Sequence, residues 1–413
     1  MSAIVAALNG HAAAIAADSA VTIGGRKVFN SANKIFTLSK YAPVAIAIYN
    51  NTSLMDIPWE IIIKEYRKNL SDSKKSKLKD YAIDFFEFLN TKGYFSDTDK
   101  QNRHLIQAFL SYLDALAKDT RTDTQNLEIE LNKRLVELEK QHSKPLDCFK
   151  HISKEEFYNN NKDGIQFVLT EFNKKYKCAI DETTIYGILY HVFVCAQWQA
   201  LVTGLVFIGY GEDELFPSLY SFETGFIVNG YLSIRYLSEN DAIIQPGLID
   251  AAVRPFAQTD VMDTILRGIA PQVEDIFVKN YSIPIKKVFG DMANIVHADN
   301  PTLANNIRDF INNNLGNYEI QYFKACRELT SRDYISPFIN SVITLDKEDL
   351  ADFVESLIKL TSIKRKISPD QPTVGGPIDV MVISKGDGII WMKRKHYFKP
   401  ELNNHFFQNY FRQ

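Results

Sequence analysis

Three residues near the start of the chain carry groups that could do chemistry together: Ser2, Asp18 and Lys34, separated by 16 residues from 2 to 18 and again from 18 to 34. A serine hydroxyl is a weak nucleophile at neutral pH and needs an adjacent base. A free α-amine, with an ordinary pKa of about 7.7–8.0, can be that base for its own residue, directly or through a water. This requires loss of Met1, which a following residue as small as Ser2 favours. A lysine beside the hydroxyl would favour its ionisation and hold the amine's pKa down, and a carboxylate paired with that lysine would fix its position. The tetrahedral oxyanion would then need backbone N–H donors.

The elements around these residues read first as strands. Two short apolar runs flank Asn9-Gly10, a strong hairpin signal, and a second pair flanks Gly24-Gly25. Alanine is a poor strand former, so an Ala-rich helix competes for Met1 to Thr22; the Asn-Gly placement decides for the hairpin. Ile35-Phe36-Thr37-Leu38 and the buried-type run Val44 to Tyr49 continue the strands. The period then changes. Leu54, Ile57, Ile61, Ile62 and Tyr66 predict a helix over 52–69 with Thr52 or Ser53 as N-cap. Residues 70–200 are Lys- and Glu-rich and helical in period; Leu127, Leu131, Leu135 and Leu138 predict one arm of a helical hairpin with Leu105 to Leu116. Leu201 to Tyr210, Leu215 to Phe222, Phe226 to Val228 and Tyr231 to Leu237 predict an antiparallel meander. Residues 248–365 read as mostly helical, including Ala257 to Ile269 and a helix from Leu345 capped by Asp346 or Thr344. Pro377 to Ser384 and Gly388 to Lys393 predict a last hairpin across Lys385-Gly386-Asp387.

Composition bounds the function classes. With 413 residues, 46% apolar and 23% charged, the chain is an ordinary globular mixture with a prior of two to three domains. Its 47 basic against 50 acidic residues give a formal charge of −3, without the global basic excess of a nucleic-acid or anionic-membrane binder. The four cysteines are too sparse for a disulfide framework, so a cytoplasmic setting is expected. The Ala-rich start lacks a basic residue before its apolar run, and Asn9-Gly10-His11 breaks that run, which argues against a signal peptide. No run of about 18 consecutive apolar residues predicts a spanning helix.

Ser2-Ala3-Ile4-Val5, the turn at Asn9-Gly10, Ala16-Ala17-Asp18-Ser19 and Asn33-Lys34-Ile35 together resemble the catalytic β-subunits of the proteasome and related bacterial proteasome-like proteases. That N-terminal-nucleophile family carries its nucleophile, an Asp in an Ala-Asp-Ser segment and a Lys opening a Lys-Ile strand at these intervals. The resemblance implies an α+β fold, a four-layer αββα sandwich of the N-terminal-nucleophile (Ntn) hydrolase type with a large helical insertion. It implies that Ser2, Asp18 and Lys34 are catalytic, that the backbone at Thr22, with Ala20 nearby, pairs with an extended substrate, and that Asn50 or Asn51 supplies the oxyanion N–H. Val374-Gly375-Gly376-Pro377-Ile378-Asp379-Val380 resembles the family's glycine pair before a late strand, which makes Gly375, Gly376 and Asp370 supporting residues. The match covers 2–66 well, 373–395 moderately and 201–237 loosely.

The expected organisation is a core of 2–69 and 201–398, a helical insertion over 70–200 whose last helix can belong to the core, and a tail over 399–413. The expected function is hydrolysis of peptide or amide bonds through an acyl-enzyme at Ser2, with no cofactor, no metal, no nucleic-acid or membrane partner, and possible assembly as a homo-oligomeric ring or dimer. The alternative is a catalytically inactive structural or interaction subunit. It draws on four departures from the family: Ser2 in place of Thr, Ala20 where Arg is common, an oxyanion loop without its Gly, and Val374 where a supporting Ser is expected. Cys148-x2-His151 and His191-x3-Cys195 read as core packing before a zinc site. Gly209-Tyr210-Gly211 and Gly386-Asp387-Gly388 read as turns, Lys74-Lys75-Lys77-Lys79 as a solvated linker, and Lys393-Arg394-Lys395-His396 as surface.

Overall fold

The structure is a computed structural model that describes residues 3–23, 27–119, 127–140, 144–195, 202–368, 374–396, 398–405 and 408. Two antiparallel sheets stack face to face. The first runs β13 (Ala251–Ala257), β1 (Ala3–Asn9), β2 (Ala13–Ala17), β14 (Asp379–Ser384), β15 (Gly388–Lys393). The second runs β11 (Tyr231–Tyr236), β10 (Ser218–Val228), β9 (Thr203–Gly209), β6 (Val44–Asn50), β5 (Ile35–Thr37), with β12 (Ala242–Ile243) on β10. Strand alternation sends Ile4, Ala6, Leu8 and Ile15 inward, where they meet Ala45, Ala47, Val206 and Ile208 of the other sheet.

Helices cover both outer faces. Leu350, Val354, Leu357 and Ile358 of α12 (Lys347–Ile367) pack on Ala3, Val5, Ala7, Ala14 and Ala16. That explains the alanines: β1 and β2 are buried on both faces, and small side chains let the helix approach the sheet closely. On the other side, Trp59, Ile62 and Tyr66 of α1 (Trp59–Leu70) and Tyr81, Phe85 and Phe86 of α2 (Leu78–Thr91) cover Ile46, Ile48, Phe207 and Phe222. The result is the four-layer αββα sandwich, with the Asn9-Gly10 hairpin and the final hairpin both as expected. The strands expected to flank Gly24-Gly25 also pair, as β3 (Val21–Ile23) with β4 (Lys27–Phe29), the glycines themselves lying outside the described residues.

Inserted after α2, α3 (Thr98–Asp119), α4 (Leu127–Lys140), α5 (Lys154–Tyr176) and α6 (Glu182–Phe193) build a separate apolar cluster that reaches the sandwich at Phe226 and Val228. Here α3 lies mainly on α5 and α4 mainly on α6, in place of the expected hairpin between the first two. α2, although part of 70–200, packs into the core of the sandwich itself.

Other expectations are corrected. The helix expected from Thr52 starts at Trp59, because β7 (Ser53–Leu54) and β8 (Ile57–Pro58) make a small hairpin first, with Met55 and Asp56 at positive φ. β10 runs unbroken through Thr224-Gly225, where a bulge takes the place of a turn; Ser233 Oγ accepts from the N–H groups of both Gly225 and Phe226 at 3.1 Å. Residues 251–257 form an edge strand, not part of a helical region, and Pro255 is tolerated there. The Lys74–Lys79 run is not a free linker: Lys75 pairs with Asp84 at 2.6 Å, Lys74 with Glu212 at 3.0 Å, and Lys79 sits 4.3 Å from the Tyr236 ring centroid. Its backbone is docked on the Gly211 turn, where Ser76 O accepts from Asp213 N at 3.0 Å.

The tyrosines of the core set the alkaline behaviour. Burial pushes the phenols of Tyr49, Tyr66 and Tyr210 above their ordinary value and that of Tyr220 to about 12. Each contributes stability below pH 10, where unfolded tyrosine is also neutral, and loses it as the pH rises toward its folded pKa. The expected loss is about 1.4 kcal/mol per pH unit above 10 for each such tyrosine. Urea midpoints measured at pH 9 and pH 11 check this; equal midpoints would contradict it.

Candidate functional site

One end of the sandwich gathers the ends of β2, β5, β6 and β14, and the residues singled out in the sequence converge there. Asp18 follows β2 and is fully buried. Its Oδ1 accepts from Lys34 Nζ at 2.5 Å and from the Ala3 backbone N–H at 2.9 Å. Its Oδ2 accepts from Ala20 N and Gly375 N, both at 3.1 Å. One carboxylate thereby ties together the beginning of β1, the residue before β5 and the glycine loop before β14. A buried carboxylate with four donors is fully satisfied, whereas an unpaired one would be strongly unfavourable.

Lys34 is 3% exposed. Burial pushes its ammonium below the ordinary lysine value; Asp18 opposes that shift by charge and hydrogen bond, and the nearby Lys395 reinforces it. The Lys34 carbonyl accepts from Ile48 N at 2.9 Å, which sets the last residues of β6 alongside it.

β6 ends at Asn50, and Asn51 follows it. Asn50 has φ +67°, the left-handed region that asparagine tolerates better than most residues. An asparagine thus takes the conformation a glycine would have been expected to supply. The Asn51 carbonyl accepts from Thr203 Oγ1 at 3.2 Å, and Thr203 Oγ1 accepts from Trp59 Nε1 at 2.9 Å, so the loop is anchored to the core.

Gly375 and Gly376 lie in the same place. Gly375 O accepts from Ser19 N at 3.1 Å, and Ser19 Oγ donates to Pro377 O at 2.6 Å. Gly376, at φ +77°, approaches Asn30 so closely that a Cβ there would stand 2.7 Å from the Asn30 Cβ, so only glycine fits. Ala20 is buried, and Thr22 is in β3, opposite Val28 of β4. Ser2 and Asp370 lie outside the described residues.

Two further residues belong to this end and were not expected at the site. Asp379 stands opposite Ala17 in the β14–β2 register, one position from Asp18. Its Oδ1 accepts from Lys395 N at 2.8 Å, and its Oδ2 pairs with Lys395 Nζ. Lys395 was expected on the surface with its neighbours; Lys393 and Arg394 are exposed, but the Lys395 side chain is 11% exposed. The signal available in sequence was Asp379 itself, an acid at the head of a buried strand. The Cys148 thiol accepts from Ile234 N at 3.4 Å and the His151 ring packs on Tyr231, contacts of ordinary packing. Among the described residues no group of three or more His, Cys, Asp or Glu is placed to hold a metal. No helix among the described residues is long and apolar enough to cross a membrane.

No family model matches the chain, and no curated protein does. Among solved structures, a mutant of Anbu from Hyphomicrobium sp. strain MC1 is 8% identical, over 99% of this chain and 95% of that one, with a TM-score of 0.30. Anbu (ancestral beta-subunit) from Yersinia bercovieri is 7% identical, over 99% and 94%, with a TM-score of 0.27.

Proposed function

We propose that the chain is a proteasome-like N-terminal-nucleophile hydrolase that cleaves peptide or amide bonds through an acyl-enzyme at Ser2 after removal of Met1. The observation that carries this reading is the Asp18 carboxylate, which holds both the Lys34 ammonium and the N–H of Ala3. Ser2 is joined to that nitrogen by a peptide bond, so the arrangement favours a serine close to a buried cation.

In this reading the Ser2 hydroxyl attacks the substrate carbonyl and its proton passes to the α-amine. The oxyanion draws on the N–H groups around Asn50 and Asn51. The α-amine then protonates the departing amine, leaving an ester at Ser2. Water attacks that ester and gives its proton to the α-amine, which passes it to Ser2 Oγ as the acyl–oxygen bond breaks, so the acid product leaves and both the hydroxyl and the neutral amine are restored. Lys34 supplies the positive charge that favours the ionised hydroxyl. Asp18 positions Lys34, and the backbone at Thr22 would pair with an extended substrate. A cytoplasmic location and a homo-oligomeric ring or dimer go with this reading.

A second reading, an inactive structural or interaction subunit, is favoured by the same four bonds to Asp18, since they also serve as a purely structural staple. Covalent labelling separates the two. A β-lactone should acylate the protein once, on the N-terminal peptide, and the Ser2→Ala variant should stay unlabelled. Equal labelling of that variant, or none of the parent, would support the inactive subunit.

A further inference from the structure

Where the helical insertion meets the sandwich, the end of α2, the start of α3, α5 and the β10–β11 turn wall a cavity of about 400 Å³ that shares no residue with the Asp18–Lys34 site. That volume is within the range of small-molecule sites, about 300–1,000 Å³. No charged side chain lines it. The contrast is with the helical stretch between β13 and α12, made of α7 (Asp260–Arg267), α8 (Pro271–Asn280), α9 (Ser282–His297), α10 (Pro301–Thr330) and α11 (Ser336–Ile343). There a cavity of about 870 Å³ has a mostly apolar wall that carries Arg267, Glu274 and Arg327.

The polar lining of the smaller cavity is dominated by carboxamides. Gln101, 8% exposed, donates from Nε2 to Phe95 O, which fixes the amide and leaves its Oε1 without a donor among the described residues. Asn161 Nδ2 donates to Phe157 O at 2.8 Å and to Asn229 Oδ1 at 2.9 Å. Those bonds assign the Asn229 oxygen, so its other end, Nδ2, is a donor at the cavity wall, buried and without an acceptor. A buried donor left unmet is uncommon enough in a folded protein to call for a reason. Asn90, Asn102 and Asn160 are exposed at the mouth, and their side chains bond to no group among the described residues. The apolar part of the lining, Leu89, Phe95 and Ile227, is buried. Phe95 is held there by the Gln101 bond and by an edge contact with Tyr94, centroids 5.6 Å apart.

We infer that this cavity binds a neutral hexopyranose. A carboxamide sets an acceptor oxygen beside an N–H donor, and two neighbouring sugar hydroxyls, each both donor and acceptor, match that pair. The C–H side of the ring meets Leu89, Phe95 and Ile227, where apolar area leaves water. Charge argues against other small occupants: a phosphate or carboxylate needs a cation and an ammonium needs an anion. Asp97 and Lys100, the charges beside the lining residues Ser96, Thr98 and Gln101, pair with each other at 3.3 Å. An extended peptide would add to an open strand edge, whereas the sheet contributes only Ile227 and the turn residues Asn229 and Gly230. The inference does not depend on catalysis, and its failure would leave the proposed function untouched.

Saturation-transfer NMR on the full chain tests it with the methyl glycosides of glucose, galactose, mannose and N-acetylglucosamine, each at about 10 mM, well above a Kd of about 1 mM. At least one is expected to bind. Asn102→Ala with Asn160→Ala, at exposed helix positions, is expected to weaken that glycoside about 10-fold or more, with unchanged circular dichroism. Asn312→Ala, on α10, should bind as the parent does, which guards against a general effect of losing surface amides. No transfer to any of the four glycosides, equal affinity in the double variant, or displacement of the glycoside by blocked trialanine at the same concentration would each overturn the inference.

Discussion

Replacing Asp18 by alanine is expected to lower the free energy of unfolding by about 3–5 kcal/mol, the scale on which removing one partner of a buried ion pair acts. The loss has two parts. Lys34, 3% exposed, keeps its amine in a place where the charge has no counterion. The N–H groups of Ala3, Ala20 and Gly375 lose their acceptor together, and a buried donor left unmade costs more than the bond was worth on balance. Asp18→Asn keeps the shape but presents an amide N–H₂ where Oδ2 accepted two bonds, so it should recover only a small part. Urea unfolding of the two variants checks this. A loss below about 1 kcal/mol for alanine would mean that the carboxylate does not join these segments.

Lys34→Met is expected to slow acylation at Ser2 by about 100-fold or more, comparable to deleting one stabilising donor from an oxyanion site. Methionine keeps most of the side-chain volume and removes the charge, so the effect on rate is separated from packing. The pH profile makes the role specific. The labelling rate should rise with pH as the α-amine loses its proton, and Lys34 should hold that rise at lower pH by repelling the ammonium form. In Lys34→Met the rise should move to higher pH. A uniform drop with an unshifted profile would make Lys34 a structural residue only. The stability sign is opposite to that of the tyrosines: burial depresses the Lys34 pKa, so the unfolded chain binds more protons just below pH 10.5, and this one group gains stability as the pH rises through that window.

What could be read from the sequence depended on how local its signal was. The Asn9-Gly10 turn, the Asp346 cap and the final hairpin are set by neighbouring residues, and each stands where expected. β13 was not legible because Ala251-Ala252-Val253-Arg254-Pro255 has neither strand composition nor alternation; pairing with β1 makes it a strand. The bulge at Gly225 depends on Ser233 Oγ from the next strand, and the docking of Lys74–Lys79 on acids more than 130 residues later. Both are tertiary facts. At the site, Asp18 and Lys34 were legible through their spacing and Gly375 only through the resemblance to the proteasome-like family; the three are brought together by direct hydrogen bonds. Asp379 and Lys395 were missed because their pairing across 16 residues exists only once β14 and the segment after β15 are side by side.

The most direct measurement is the intact mass of the purified protein before and after exposure to a β-lactone. The account predicts a chain that begins at Ser2 and gains one adduct, which peptide mapping assigns to that serine. A chain that retains Met1, and with it no free amine on Ser2, would contradict it.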